Sequence, residues 1–379
     1  IKIGGGIDLW DGMELYKSLA DFEIDTSTAW PCLKDGITFT TQQQIDDFKT
    51  DYPGCTMIGG AVNIVGGASI NNLSGLSVLT SIGGNLDIRE SNALTTLNGL
   101  NNLNFIGGDL LFLWNDELGS ISALHGLNSI EGSLWIHEND ALPSLEGLCN
   151  VTSIGGTLGI GGNDVLNGLE PLRNVTFIKG SLMIGYWYWG EHCGNGSLSN
   201  LEGLNKVTSI GDDLHIYFND GLTNLEALDH VTAIGGTLEV VGNDLLGSLS
   251  GLDNIDYHTI TELLLSSNHN LSFCDVGSIC DFIENAGLAT ISENVEGCNS
   301  LSEVIAACLV GGISSMTPNF EYTIFPNPAR RALNINAVFK NKTSGSLRLM
   351  DGIGRTSYQF EFNNTVIKHQ IDLTAFVPG

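Results

Sequence analysis

The sequence predicts an all-β fold: a solenoid of about nine stacked rungs of 24 residues with their strands in parallel register. Three observations predict it. An Ile recurs at Ile58, Ile82, Ile106, Ile130, Ile154 and Ile178, then at Ile210 after eight extra residues, and at Ile234; a ninth unit runs from Thr259 through Leu263 and Leu265. Four and six residues after that Ile stand paired aliphatics, such as Leu86 with Ile88 and Leu238 with Val240. Alternation of this kind is a short strand with one buried face. Asn takes the ninth offset at Asn115, Asn139, Asn163, Asn219 and Asn243, nearly always followed by Asp. One strand per 24 residues cannot enclose a core alone, but copies stacked on one another can.

In chain order, residues 1–31 form an N-terminal extension, 32–315 the solenoid with its flanks, and 316–379 a separate C-terminal unit. The extension opens "IKIGGGIDLW", an alternating stretch outside the repeat; it reads as an edge strand or a lead-in, or as a strand donated to another molecule. In each rung the Gly-Gly pair and the Asn-Asp pair are expected at corners with left-handed backbone. Rungs about 4.8 Å apart give a rod roughly 40 Å long. The repeated Asn would stack in its corner, amide bonded to amide. The adjoining Asp116, Asp140, Asp164, Asp220 and Asp244 would form an acidic column, either plain solvated turns or a place for calcium; no other cofactor is expected.

Composition excludes several partners. The chain has 43 acidic and 15 basic residues in 379, a net charge of −28. Residues 1–320 carry −31 and residues 321–379 carry +3, which sets the C-terminal unit apart. So negative a field repels nucleic acid and anionic membranes. Six of eight cysteines flank the repeat, two before and four after, as disulfides stapling the ends would require; this implies an oxidising, exported setting. Cys149 and Cys193 find no role in that scheme.

Residues between the buried strand pairs point outward. Across rungs they include Trp135, His137, His215 and Tyr217, with Trp114 and Phe218 at the strand ends. The insertion lies in "GYWYWGEHCGN", residues 185–195, which adds Tyr186, Trp187, Tyr188 and Trp189. Contiguous exposed aromatics mark a partner surface, and flat rings suit either sugar faces or protein side chains. Gly159, Gly161 and Gly162 leave a bare rung beside Trp135, expected as a shallow slot. Alternatively, the insertion folds back over the rings as a local mini-core held through Cys193. No Ser/His/Asp order, phosphate loop or carboxylate pair stands out, so no enzyme is expected.

"IGGNLDIRESNALTTLNGLNNLNFI" and its relatives resemble the receptor L-domain family. Its members are leucine-rich-repeat-like, right-handed parallel β-helices of growth-factor receptor ectodomains and microbial surface proteins. The resemblance covers residues 32–308. It implies an N-terminal cap in "CLKDGITFTTQQQIDDFKTDYPGCTMI", with Cys32 bonded to Cys55, and a cysteine-bearing C-terminal cap. "YTIFPNPARRALNI", "LRLMDGIGR" and the closing Pro378-Gly379 resemble the C-terminal sorting domain of the type IX secretion system of Bacteroidota. That likeness implies a small antiparallel β-sandwich and, through residues 322–379, the secretion machinery as a partner. In that family a Tyr-containing strand follows the Pro-Gly, so an open sandwich edge is expected here. The function expected is secreted or cell-surface, non-catalytic binding or adhesion, to an extracellular glycan or protein, through the aromatic face. The alternative is self-assembly as a filament or sheath subunit, by strand exchange or end-to-end contacts.

Overall fold

A computed structural model describes residues 2–3, 7–8, 31–188, 191–285, 288–310, 320–325, 332–350 and 356–372. Its main element is one sheet of eleven strands, all parallel, running in chain order from Ile37–Phe39 to Ala289–Ser292. The two outermost strands come from the flanks of the repeat. Neighbours pair one period apart: Leu134 lies opposite Leu158, and Ile136 opposite Ile160. Across the insertion the register jumps but holds, with Leu182 opposite Leu214. The inward residues of every strand in the repeat, Leu86 and Ile88 through Leu263 and Leu265, are fully buried. The period puts like beside like, so each coil covers the apolar face of the one before it.

Two features were not legible in the repeat. The Ile of phase zero lies in two further parallel ladders of two-residue strands, one from Met57–Ile58 to Phe105–Ile106 and one from Ser153–Ile154 to Ala233–Ile234, the latter extended by a bridge from Ile154 back to Ile130. The remaining side of the coil alternates between two forms. Short 3₁₀ turns at Ser74–Leu76, Ser122–Leu124, Glu170–Leu172 and Glu226–Leu228 occur in every second coil. The coils between carry a left-handed glycine instead; at Gly147, with φ of 120°, a side chain would meet the Ile121 carbonyl oxygen at 2.2 Å.

The corner expectation needs correction. The left-handed residue is the one just before the ladder Asn: Trp114, Glu138, Phe218, Ser267 and Glu293, with Gly162 and Gly242 at the equivalent position and Glu90 before Ser91, which takes the Asn offset in its coil. The Gly-Gly pairs serve close approach, since a Cβ on Gly83 would sit 2.4 Å from the Gly59 carbonyl oxygen.

The Asn stack forms and is longer than expected. Asn115, Asn139, Asn163, Asn195, Asn219, Asn243, Asn268 and Asn294 each pass an amide hydrogen bond to the next, at 3.0 to 3.3 Å. Each Nδ2 also donates to a strand carbonyl, as Asn163 does to Ile136 at 2.8 Å. Asn195 is the informative member. It lies 32 residues after Asn163, so the eight inserted residues are expelled between Ile184 and Asn195 and the stack runs past them unbroken.

Both ends are capped. Helix Gln42–Asp51 begins with a capping box at Thr41 and buries Ile45 and Phe48. Disulfide Cys32–Cys55 closes this end, and Cys274–Cys298 with Cys280–Cys308 tie the helices Gly277–Asn285 and Leu301–Val310 at the other. None of the three uses Cys149 or Cys193.

At the N-terminus, Lys2–Ile3 pairs antiparallel with Ile7–Asp8. Toward the C-terminus, Phe320–Phe325, Ala332–Met350 and Thr356–Asp372 form one antiparallel sheet with the long second strand in the middle. The described residues of 316–379 supply no second layer for a sandwich. The Pro-Asn-Pro run at 326–328 and the closing Pro378-Gly379 lie outside the described residues.

Candidate ligand-binding face and cleft

Strands Leu134–His137 and Leu214–Tyr217 both alternate buried and half-buried residues, so Trp135, His137, His215 and Tyr217 stand on the outer face as their spacing requires. Where the chain leaves the sheet after Ile184, Gly185 turns it outward into a hairpin in which Tyr186–Tyr188 pairs with Glu191–Cys193. This hairpin divides the sequence-selected residues into two groups. Trp135 meets His137 edge-on at 5.0 Å, and His137 stacks flat on Tyr186 at 4.2 Å. On the other side His215 stacks on Tyr217 at 5.2 Å, Tyr217 leans on Phe218, and hairpin residue His192 lies flat on Phe218 at 3.9 Å. Trp114 stands at its corner 40% exposed. The side chains of Trp187 and Tyr188, and all of Trp189, lie outside the described residues.

The expected slot over the glycine rung is filled. A Cβ on Gly159 would meet the Trp135 indole at 2.1 Å, one on Gly161 would meet the Tyr186 ring at 2.5 Å, and one on Gly162 would meet the Glu138 carboxylate at 2.6 Å. These glycines therefore let larger neighbours lie down across the sheet. The slot closes because rings half-covered by one another keep less apolar surface in water than rings standing apart.

Burial has electrostatic consequences. The His137 Nε2 is enclosed without a hydrogen-bond partner among the described residues, and desolvation pushes the imidazole down to about 4. The unfolded chain, with His near 6.5, thus takes up a proton that the folded one refuses. Stability is expected to fall as pH drops from about 6.5 to about 4 and to level off below, by at most about 3 kcal/mol. Replacing His137 by Phe should flatten that slope in urea midpoints measured across this range. Burial also raises the Tyr186 and Tyr217 phenols above their ordinary range. Tyr186 donates to Glu138 at 2.9 Å, and Tyr217 donates to Glu239.

Between the hairpin and the strand ends lies a cleft of about 380 Å³. Its walls include Trp114, Glu138, Asp140, Asp164, Tyr186 and His192. Spacing alone missed Glu138 and His192 as site residues and placed Asp140 and Asp164 in an acidic column, as solvated turns or calcium ligands. The signal was the 32-residue step to Asn195, which shows that the hairpin leaves the coil beside this corner. Desolvation, then Asp164, Glu138 and Asp116 nearby, hold the Asp140 carboxyl above its usual range. Among the described residues no group of three or more His, Cys, Asp or Glu side chains is placed to hold a metal, so the calcium expectation finds no site there. No described helix is long and apolar enough to cross a membrane.

No curated protein and no solved structure matches this chain. One family model does. Residues 54–119, the first coils of the sheet, match the receptor L domain, a ligand-binding extracellular module without catalytic chemistry, and the three disulfides agree with such a setting.

Proposed function

We propose that this protein is a secreted or cell-surface adhesion protein that holds an extracellular glycan or protein against the aromatic edge of its long sheet, without catalysis. One observation carries the reading: the eight-residue interruption of the 24-residue period is a hairpin that rises where the outward rings are, and it builds a cleft with them. A solenoid has no structural need for that insertion, since the Asn stack passes it unbroken. Aromatic side chains supply large contact areas at low entropic cost, and they concentrate at interfaces.

Residues 322–379 are proposed as the module that hands the chain to a type IX secretion machinery in a bacterium of the Bacteroidota. The +3 balance of residues 321–379 against −31 for residues 1–320 supports a unit with a task of its own.

The test of adhesion is retention of the full chain on a cell-surface or glycan matrix. Replacing Trp135 and Trp187 by Ala should reduce retention at least about tenfold, the loss expected for buried aromatic anchors, with the melting midpoint displaced by only a few degrees. Unchanged retention would remove the reading. Growth of the particle with protein concentration would put filament assembly in its place.

A further inference from the structure

We propose that the cleft beside the hairpin receives a lysine side chain of a partner protein, its ammonium seated between the Trp114 indole and the Asp140 and Asp164 carboxylates. The inference rests on the reading of this edge as a binding face and names the group bound there.

The cavity decides the chemistry. Of its described polar side chains, Glu138, Asp140 and Asp164 are carboxylates, the Tyr186 hydroxyl already donates its hydrogen bond to Glu138, and His192 and Cys193 stand on the hairpin side, so acidic acceptors predominate. A sugar hydroxyl both donates and accepts, whereas an ammonium brings three donors, no acceptor and a charge. Among the described residues no Lys or Arg lines the cleft. None of its three carboxylates forms an ion pair with a Lys or Arg among the described residues; the described pairs of that kind are Lys34–Asp35 and Arg89–Asp87. Burial first, and then repulsion from the neighbouring Asp164, Glu138 and Asp116 carboxylates, make Asp140 resist ionisation. An incoming cation removes that repulsion.

The indole adds the second half of the site. Trp114 occupies a left-handed corner, φ 56°, that brings its ring to the cleft wall while leaving it 40% exposed. An indole face attracts a desolvated cation more strongly than other rings do. Asp140 and Asp164 are one period apart, hence about 4.8 Å apart along the stack. A compact ammonium can serve both; a planar guanidinium pairs best with one carboxylate at a time. The −31 field of residues 1–320 draws a basic partner from a distance.

The test titrates the full chain with heptalysine at about 0.15 M salt, reading tryptophan fluorescence and calorimetry. The comparison probes are the fully acetylated peptide, heptaarginine and a chitosan oligomer, an ammonium carried on sugar. Heptalysine should bind at least about tenfold more tightly than each of these, and Trp114→Ala and Asp140→Asn should each weaken it about tenfold. Trp114→Phe should recover part of the loss. Glu202→Gln, which removes the same charge from an exposed carboxylate outside the cleft, should leave binding unchanged. Asp140→Asn should not lower the melting midpoint, because it relieves repulsion.

Equal weakening by Glu202→Gln and Asp140→Asn would reduce the effect to the general field and overturn the site. So would heptalysine binding that survives Trp114→Ala, or stronger binding of chitosan. If Trp135→Ala abolishes matrix retention while Trp114→Ala spares both retention and heptalysine binding, the adhesion face stands and the lysine site falls. If heptalysine binds as expected while the Trp135 and Trp187 changes leave retention intact, the lysine site stands and the adhesion face falls.

Discussion

Asn163→Ala is expected to lower the unfolding free energy by about 3–5 kcal/mol, among the largest effects of any single substitution outside the hydrophobic core. The Asn163 Nδ2 donates to Ile136, Gly161 and Asn195, and its Oδ1 accepts from both the backbone and the side chain of Asn139. All of this happens at zero exposure. Alanine leaves several of these groups in a dry corner with fewer partners, and an unmade buried hydrogen bond costs more than a made one contributes. The loss should also spread, because bonded amides polarise one another along the stack. Urea unfolding followed by circular dichroism measures the free energy. Hydrogen exchange should show faster opening in the coils on both sides of residue 163. Asp164→Ala, one residue on and exposed, should stay within about 0.5 kcal/mol. If Asn163→Ala does too, the stack is ornament and the corner is held by packing alone.

Gly185→Ala should cost about 3 kcal/mol or more and should damage the site as well as the fold. Gly185 has φ of 79°, and a Cβ there would lie 1.8 Å from the carbonyl oxygen of Tyr217. That oxygen belongs to the next strand of the sheet, so it cannot retreat without breaking the pairing of Leu182–Ile184 with Leu214–Tyr217. A left-handed alanine adds about 1–2 kcal/mol of its own. The hairpin that carries Tyr186 and His192 would be re-aimed, and retention on a matrix should fall together with the melting midpoint. Gly196→Ala is the control, since nothing lies within 4 Å of a Cβ at that position. Equal stability of the two variants would show that the exit from the coil is not constrained as described.

Much of the fold was legible because a repeat turns a three-dimensional question into a one-dimensional one. Leu86, Leu110 and Leu134 share an offset, and stacking places them side by side whatever the details of each coil. The amide stack followed from the same translation. The outward positions of Trp135, His137, His215 and Tyr217 followed from strand alternation. The period could not say how far a ring on one coil leans onto the next. Trp135 lies over Gly159, and Tyr186 over Gly161, because those positions have no side chain to hold the rings upright. Asn195 was hidden for a related reason: at the expected offset the sequence reads Trp187, and only the folded stack shows which Asn takes the vacant place.

What the sequence determined by itself is the translation: a coil every 24 residues, a parallel sheet, an aliphatic interior and an amide stack. Each depends only on residue type at a fixed offset and on the need to bury one face. What the tertiary structure decided is the site. The two short ladders at Ile58 and its successors, the left-handed corner at Trp114, and the cleft closed by Tyr186 and His192 come from contacts between residues tens of positions apart. Those contacts are settled by the volume and charge each coil meets in its neighbour, which no single period contains.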